Sequence, residues 1–190
     1  MEKVGTMDRR TLLQVAATAG VAQTAVAEPA HAATTSAAPP PTPLSTVPLR
    51  LPATEFTYEA VVELDPMVPL GKSPLGERRI IPITGGVFQG PRIRGTVLAG
   101  GADRQLSRPD GVLLLNALYE LKTDDGAIIT VNNRAIIDAP PGQAPYAYSV
   151  LDFTAPEGPH AWLNRGVFVG TVHGLPPERH AVLIRVYKVV

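Results

Sequence analysis

Residues 79–103 read "RIIPITGGVFQGPRIRGTVLAGGAD", with six glycines and two prolines among threaded apolar residues. A phosphate-binding P-loop would need G-x-x-x-x-G-K-[ST], and no such string occurs. A dinucleotide fingerprint would need a helix directly after its glycines, and none is predicted here. Glycines inside strand patterns mark bulges, barrel corners or close backbone approach. Gly85, Gly86, Gly90 and Gly95 are therefore read as kinks that curve a sheet. Gly100-Gly101 reads as a tight turn that aims Asp103.

The same reading extends in both directions. "FTYEAVVEL" from Phe56 alternates with period two, as a half-buried strand does. "GVLLLNALYELKT" and "AIITVNNRAII" flank a turn signal at residues 124–126 and form a predicted hairpin. "YAYSVLDFT", "WLNRGVFVGTV" and "AVLIRVYKV" read as further strands. Eight or nine strands result, with turns at Gly, Pro and Asp, and no convincing helical period follows residue 50. Regularly spaced short strands predict a sandwich or a closed barrel.

Upstream, the chain of 190 residues changes character. Arg9-Arg10 precedes a weakly apolar run to Ala27, and small residues follow at Ala25-Val26-Ala27 and Ala30-His31-Ala32. Residues 1–32 have the layout of a twin-arginine export signal. The run is too short and diluted for an anchor, which needs about 18 strongly apolar residues. Residues 33–48 are rich in Ala, Thr, Ser and Pro and read as a disordered spacer. The folded domain is expected over 49–190, in a periplasmic or extracellular protein.

Composition narrows the chemistry. Seventeen basic residues balance seventeen acidic ones, and no basic stripe advertises nucleic acid. There is no cysteine, which removes thiol nucleophiles and thiolate metal sites. No H-x-H, H-E-x-x-H or G-x-S-x-G spacing occurs, so neither a metal nor a serine nucleophile is expected.

Three blocks in order, "GERRIIPITGGVFQGPRIRGTVLAGGAD", "RPDGVLLLNALYELKTDDGAIITVNNR" and "AWLNRGVFVGT", resemble the domain-of-unknown-function 3237 family, also called UPF 0311. The resemblance spans roughly residues 53–188. It implies an all-β fold: one antiparallel β-barrel, lipocalin-like in general appearance, with an interior cavity. It also implies small aromatic or polyketide-like substrates and acid–base chemistry without a cofactor. The chain departs from the family pattern at Arg104, where an aromatic residue is common, and at Leu118, where an arginine often precedes the tyrosine.

The candidate residues are polar groups inserted in apolar strands. Asp103 is either a general base with a burial-tuned pKa or a cap of its own turn. Of Arg78 and Arg79, one should face inward, with Arg79 taken as the oxyanion-binding fork, or the two are a surface pair ending a loop. Tyr119 shares a face with Leu113, Leu115, Ala117 and Leu121, as a catalytic acid or a packed core tyrosine. Asn133 would orient a ligand carbonyl, or sit on the surface. Asp152 would be a second carboxylate, or a solvated one. Trp162 and Asn164, two apart, would share a strand face and position a flat ring, or belong to the core and a turn. Asp103, Tyr119 and Trp162 should then meet in one pocket.

The expected function is cofactor-independent cyclisation, isomerisation or lyase chemistry on an aromatic, enone or polyketide-like compound. The alternatives are a carrier of a small apolar ligand and a structural module forming a homo-oligomer through edge strands.

Overall fold

The computed structural model describes residues 48–175 and 179–190. Residues 1–47, which include the expected export signal and nearly all of the expected spacer, lie outside the described residues. Ten strands follow one another: β1 (Thr54–Leu64), β2 (Val68–Ser73), β3 (Gly76–Gln89), β4 (Arg94–Val97), β5 (Ala102–Ser107), β6 (Leu113–Thr123), β7 (Ile128–Asp138), β8 (Tyr146–Thr154), β9 (Phe168–Gly174) and β10 (Ala181–Val189). A 3-10 helix at Ala161–Arg165 precedes β9.

These ten segments fill eight positions of a closed antiparallel barrel. β1 pairs with β10 on one edge and with β3 on the other, which closes the ring. β2 continues along the β3 edge where β1 leaves it. β4 and β5 both lie between β3 and β6, as one strand interrupted at residues 98–101. From β6 the chain runs as a meander through β7, β8, β9 and β10. An eight-stranded barrel is just wide enough to be filled by side chains or to hold one small ligand.

This barrel does both. At one end the interior is packed by Tyr58, Phe88, Leu121, Ile129, Val131 and Phe168, all nearly inaccessible to solvent. Edge-to-face aromatic contacts link Tyr58 to Phe88 and Phe153, and Phe153 to Phe168. The 3-10 helix caps this end, burying Leu163. The other end is hollow.

The glycines of the opening stretch serve close approach as well as curvature. Gly86 lies on the β1–β3 seam opposite Val62. A Cβ there would sit 2.1 Å from the Val61 carbonyl oxygen. Gly101 leaves no room either, since its Cβ would meet Tyr119 Cβ at 2.6 Å. Gly100 takes φ +107° in the turn that separates β4 from β5.

Two sequence expectations change. β2 and β5 had no counterpart among the predicted strands. The segment "WLNRGVFVGTV" is a strand only from Phe168, and its first residues form the 3-10 turn.

Candidate functional site

The hollow half of the barrel is a cavity of about 710 Å³. The β-ladder makes its walls legible, because residues directly opposite one another face the same side. One row runs Arg79–Gln105–Leu115–Ala135 across β3, β5, β6 and β7. The next row inward runs Ile81–Asp103–Ala117–Asn133. Tyr119 lies one row deeper, opposite Val131. All these residues except Val131 line the cavity. The facing wall, from β1, β9 and β10, presents Val62, Val172, Val182 and Ile184. The buried polar groups thus gather on the β3–β7 wall, and the facing side is mostly apolar, with Thr171 and His173 of β9 also lining the cavity.

Asp103 is 7% exposed and enters β5 directly after the Gly100-Gly101 turn. Its Oδ1 accepts from the Asn116 backbone N–H at 3.1 Å. Its Oδ2 accepts from Gln105 Nε2 at 2.5 Å. Gln105 Oε1 in turn accepts from Arg79 Nε at 2.7 Å. The polarity of this relay is fixed at its start. A guanidinium can only donate, so the Gln105 oxygen must face Arg79 and its amide nitrogen must face Asp103. Burial pushes the Asp103 carboxyl above its ordinary range. The Gln105 hydrogen bond, the Asn116 N–H and the Arg79 charge pull it back only in part.

Tyr119 is fully buried, and desolvation raises its pKa, so it stays a neutral phenol. The Tyr58 hydroxyl is close enough to perturb it, yet neither hydroxyl has a partner of good hydrogen-bond geometry. Asn133 is 4% exposed and its Oδ1 also has no partner. Ser149, opposite Ala135, is a fourth buried and unpartnered group.

The sequence brought together four residues that do share this cavity: Asp103, Arg79, Tyr119 and Asn133. Three others lie elsewhere. Asp152 points outward and pairs with Arg134 at 3.1 Å, with 64% of its side chain exposed. Its neighbours on β8, Leu151 and Phe153, take the interior instead.

Trp162 and Asn164 lie in the 3-10 helix at the packed end. Residues two apart share a face in a strand but not in a three-residue turn. Trp162 packs on Phe168 and under the Arg92 guanidinium, 4.2 Å from the ring centroid. Asn164 holds the Ala155 backbone through two 2.8 Å hydrogen bonds, one to its N–H and one to its carbonyl. Trp162 therefore does not meet Asp103 and Tyr119. Arg104 and Leu118 are exposed on the outer surface, so the departures from the family pattern lie away from the cavity wall.

Gln105, Ser149 and Tyr58 were missed. Gln105 follows Asp103 by two residues, so period-two alternation alone places it on the same face. Glutamine carries no titration, and a search for acid–base groups passes over it.

Comparison with known proteins agrees with this architecture. Residues 52–189 match the model of "Protein of unknown function (DUF3237)". A UPF0311 protein of Clostridium acetobutylicum is 31% identical, covering 71% of this chain and 95% of its own length. A solved protein of unknown function from Rhodopseudomonas palustris superposes with TM-score 0.69 at 30% identity, over 75% of this chain and all of its own. The hydroalkoxylation enzyme phnH of Penicillium herquei is 29% identical over 69% of this chain and 78% of its own length. A solved enzyme from the same fungus superposes with TM-score 0.61 at 26% identity, over 76% of this chain and 98% of its own. With a model match across the whole barrel, this chain belongs to the DUF3237 (UPF0311) family.

Proposed function

We propose that the protein is a cofactor-independent acid–base enzyme that closes a ring by adding a substrate hydroxyl across a conjugated carbon–carbon double bond. The observation that carries this reading is a buried carboxyl, raised above its usual range and held by a directional relay, in the wall of a largely apolar cavity. The hydroalkoxylation enzyme among the relatives supports the reaction type.

The step balances with these groups alone. Asp103 takes the proton of the substrate hydroxyl as its oxygen bonds to the β-carbon of an enone. The π electrons move to the enone oxygen, where the Tyr119 phenol donates a hydrogen bond and stabilises the developing charge. Asp103 then returns the proton to the α-carbon, so no oxidant or co-reactant is consumed. A carboxyl with a raised pKa suits both halves, because a proton shuttle works best when its pKa approaches the working pH. Asn133 orients the ring, and Arg79 acts through Gln105 to keep one Asp103 oxygen aimed and occupied.

The test is turnover of a panel of hydroxylated enones and phenols, followed by chiral chromatography with mass detection. A product of unchanged mass and one enantiomer is expected. Asp103→Asn should lower the rate roughly 10²-fold or more while the chain stays folded. Saturable binding without product would turn the assignment to a carrier.

A further inference from the structure

The wall of the hollow end is incomplete on one side. β8 and β9 pair only from Leu151 opposite Phe168 to Tyr148 opposite Thr171. Past that rung, Tyr146 and Ala147 of β8 pair with β7 alone. Val172, His173 and Gly174 of β9 pair with β10 alone. Among the described residues, no backbone hydrogen bond joins these two edges. The strands part here, and each leaves a short unpaired edge.

The lining of the cavity shows that the gap reaches the interior. On β1, β3, β5, β6, β7 and β10 the lining residues are two apart, so each strand presents one face only. β8 and β9 break this rule. Ser149 and Leu151 turn into the barrel, which places Tyr148 on the outer face, half exposed. Phe168, Gly170 and Val172 turn inward on β9, which places Thr171 and His173 on the outer face. Yet Tyr148, Thr171 and His173 all line the cavity, beside Ala147 and Val172. A strand touches a cavity with both faces only where its edge borders an opening.

The opening has a position and a chemistry. Counting round the ring from β5, two strands precede β8 on one side, and three precede β9 on the other. The gap therefore faces the Asp103 wall across the bore. One lip is aromatic, with the Tyr148 ring 4.8 Å from that of Tyr146. The other is polar, with His173 Nε2 and Thr171 Oγ1 3.2 Å apart.

Resting on the reading of Asp103 as the reacting base, we propose that substrate enters sideways through the β8–β9 gap with its reacting end leading. Its trailing end stays in the gap, between Tyr148 and His173. The cavity of about 710 Å³ limits the size of the leading end alone. The substrate class is an elongated aromatic with its reacting hydroxyl at one end and its bulk at the other.

The native chain has no cysteine, so Tyr146→Cys/His173→Cys carries the only thiols, and a short bis-maleimide can close the gap between them. The probe is 2-naphthol, followed by its own fluorescence in stopped flow with the full chain. Closure should slow association and dissociation by the same factor, roughly tenfold or more, and leave the Kd unchanged. A second probe carries a poly(ethylene glycol) chain several times larger than the cavity. Attached to the distal ring, that chain should leave binding to the native protein intact. Attached beside the hydroxyl, it should abolish binding. Closure should abolish binding of the distal form. If the cross-link does not form, Thr171→Trp should slow both rates and Tyr148→Ala should speed both. Rates indifferent to closure and to these variants, equal binding of the two tailed probes, or no binding of 2-naphthol each overturns the proposal. Turnover of enones with rates indifferent to closure would leave the catalytic reading standing and remove this one. Gated binding without turnover would do the reverse.

Discussion

Gln105 carries no charge, yet it is what lets a cation at the cavity's outer row influence a carboxyl one row deeper. Its amide hydrogen bond lowers the Asp103 pKa against the larger effect of burial. Gln105→Leu removes that donor and leaves burial less opposed, so the Asp103 pKa should rise further. If the ionised carboxylate starts the reaction, the rising limb of the pH–rate profile should move to higher pH in this variant. A limb that stays in place would show that the rate does not depend on Asp103 ionisation. The same group has a stability signature. Its folded pKa lies above the unfolded value of about 3.9. Its contribution is therefore fully present below that pH and lost as pH rises through the folded pKa. Asp103→Asn abolishes this dependence, so the variant should gain on the native chain in thermal unfolding as pH rises above about 3.9. A gap independent of pH would contradict the raised pKa. Arg79, Tyr119 and Asn133 were legible in sequence because strand alternation assigns a face to each polar residue in an apolar run, whereas Asp103 was legible from the Gly100-Gly101 turn just before it. Gln105 obeys the same rule, but nothing in its side chain advertises chemistry until Arg79 and Asp103 are seen on either side of it.

The elements that sequence misread are those whose environment breaks the alternation rule. All of β2 except Ser73 is exposed, and it contains Pro69 and Gly71, so it lacks the apolar rhythm of a strand. It exists because the β3 edge beyond β1 offers an unfilled ladder. The segment around Trp162 is apolar enough for a strand, but its backbone is spent on a 3-10 turn that plugs the barrel. Asn164 makes that turn possible by satisfying both the N–H and the carbonyl of Ala155, which is itself buried. Asn164→Ala leaves both groups unpaired and should cost about 1–3 kcal/mol in denaturant unfolding. Because the turn lies at the packed end, away from the cavity, KM should not change. A raised KM with unchanged stability would restore the binding role that sequence assigned to this pair. His160 helps at the same end. It is buried, and its Nε2 lies 3.0 Å from both carboxylate oxygens of Asp125, tying the loop before the turn to the β6–β7 hairpin. The Thr123 hydroxyl and that imidazole hold the Asp125 pKa below its usual range.

At the scale of the whole barrel, function depends on a ring that is packed at one end and hollow at the other. A hollow interior forgoes the burial that would otherwise hold the strands together, so the closing seam has to be sound. The ring closes on β1, which pairs with β10 on one side and with β3 on the other, and the β1–β3 side is the seam that carries a glycine. Gly86 sits in it at φ +141°, with the Val61 carbonyl where a side chain would begin. The obstruction is backbone, and it cannot swing aside as a flexible side chain would. Gly86→Ala must therefore push β1 off β3, and a loss of roughly 3 kcal/mol or more is expected. Gly71 is the internal comparison. It also has positive φ, +83°, but a Cβ there meets nothing within 4 Å. Gly71→Ala should cost only the conformational strain, about 1–2 kcal/mol. Chemical denaturation of the two variants separates the causes. If both lose the same amount, backbone conformation alone explains Gly86 and the seam tolerates spreading. If Gly86→Ala loses more and also binds small apolar ligands less well, then close approach at the seam is what keeps the cavity shut.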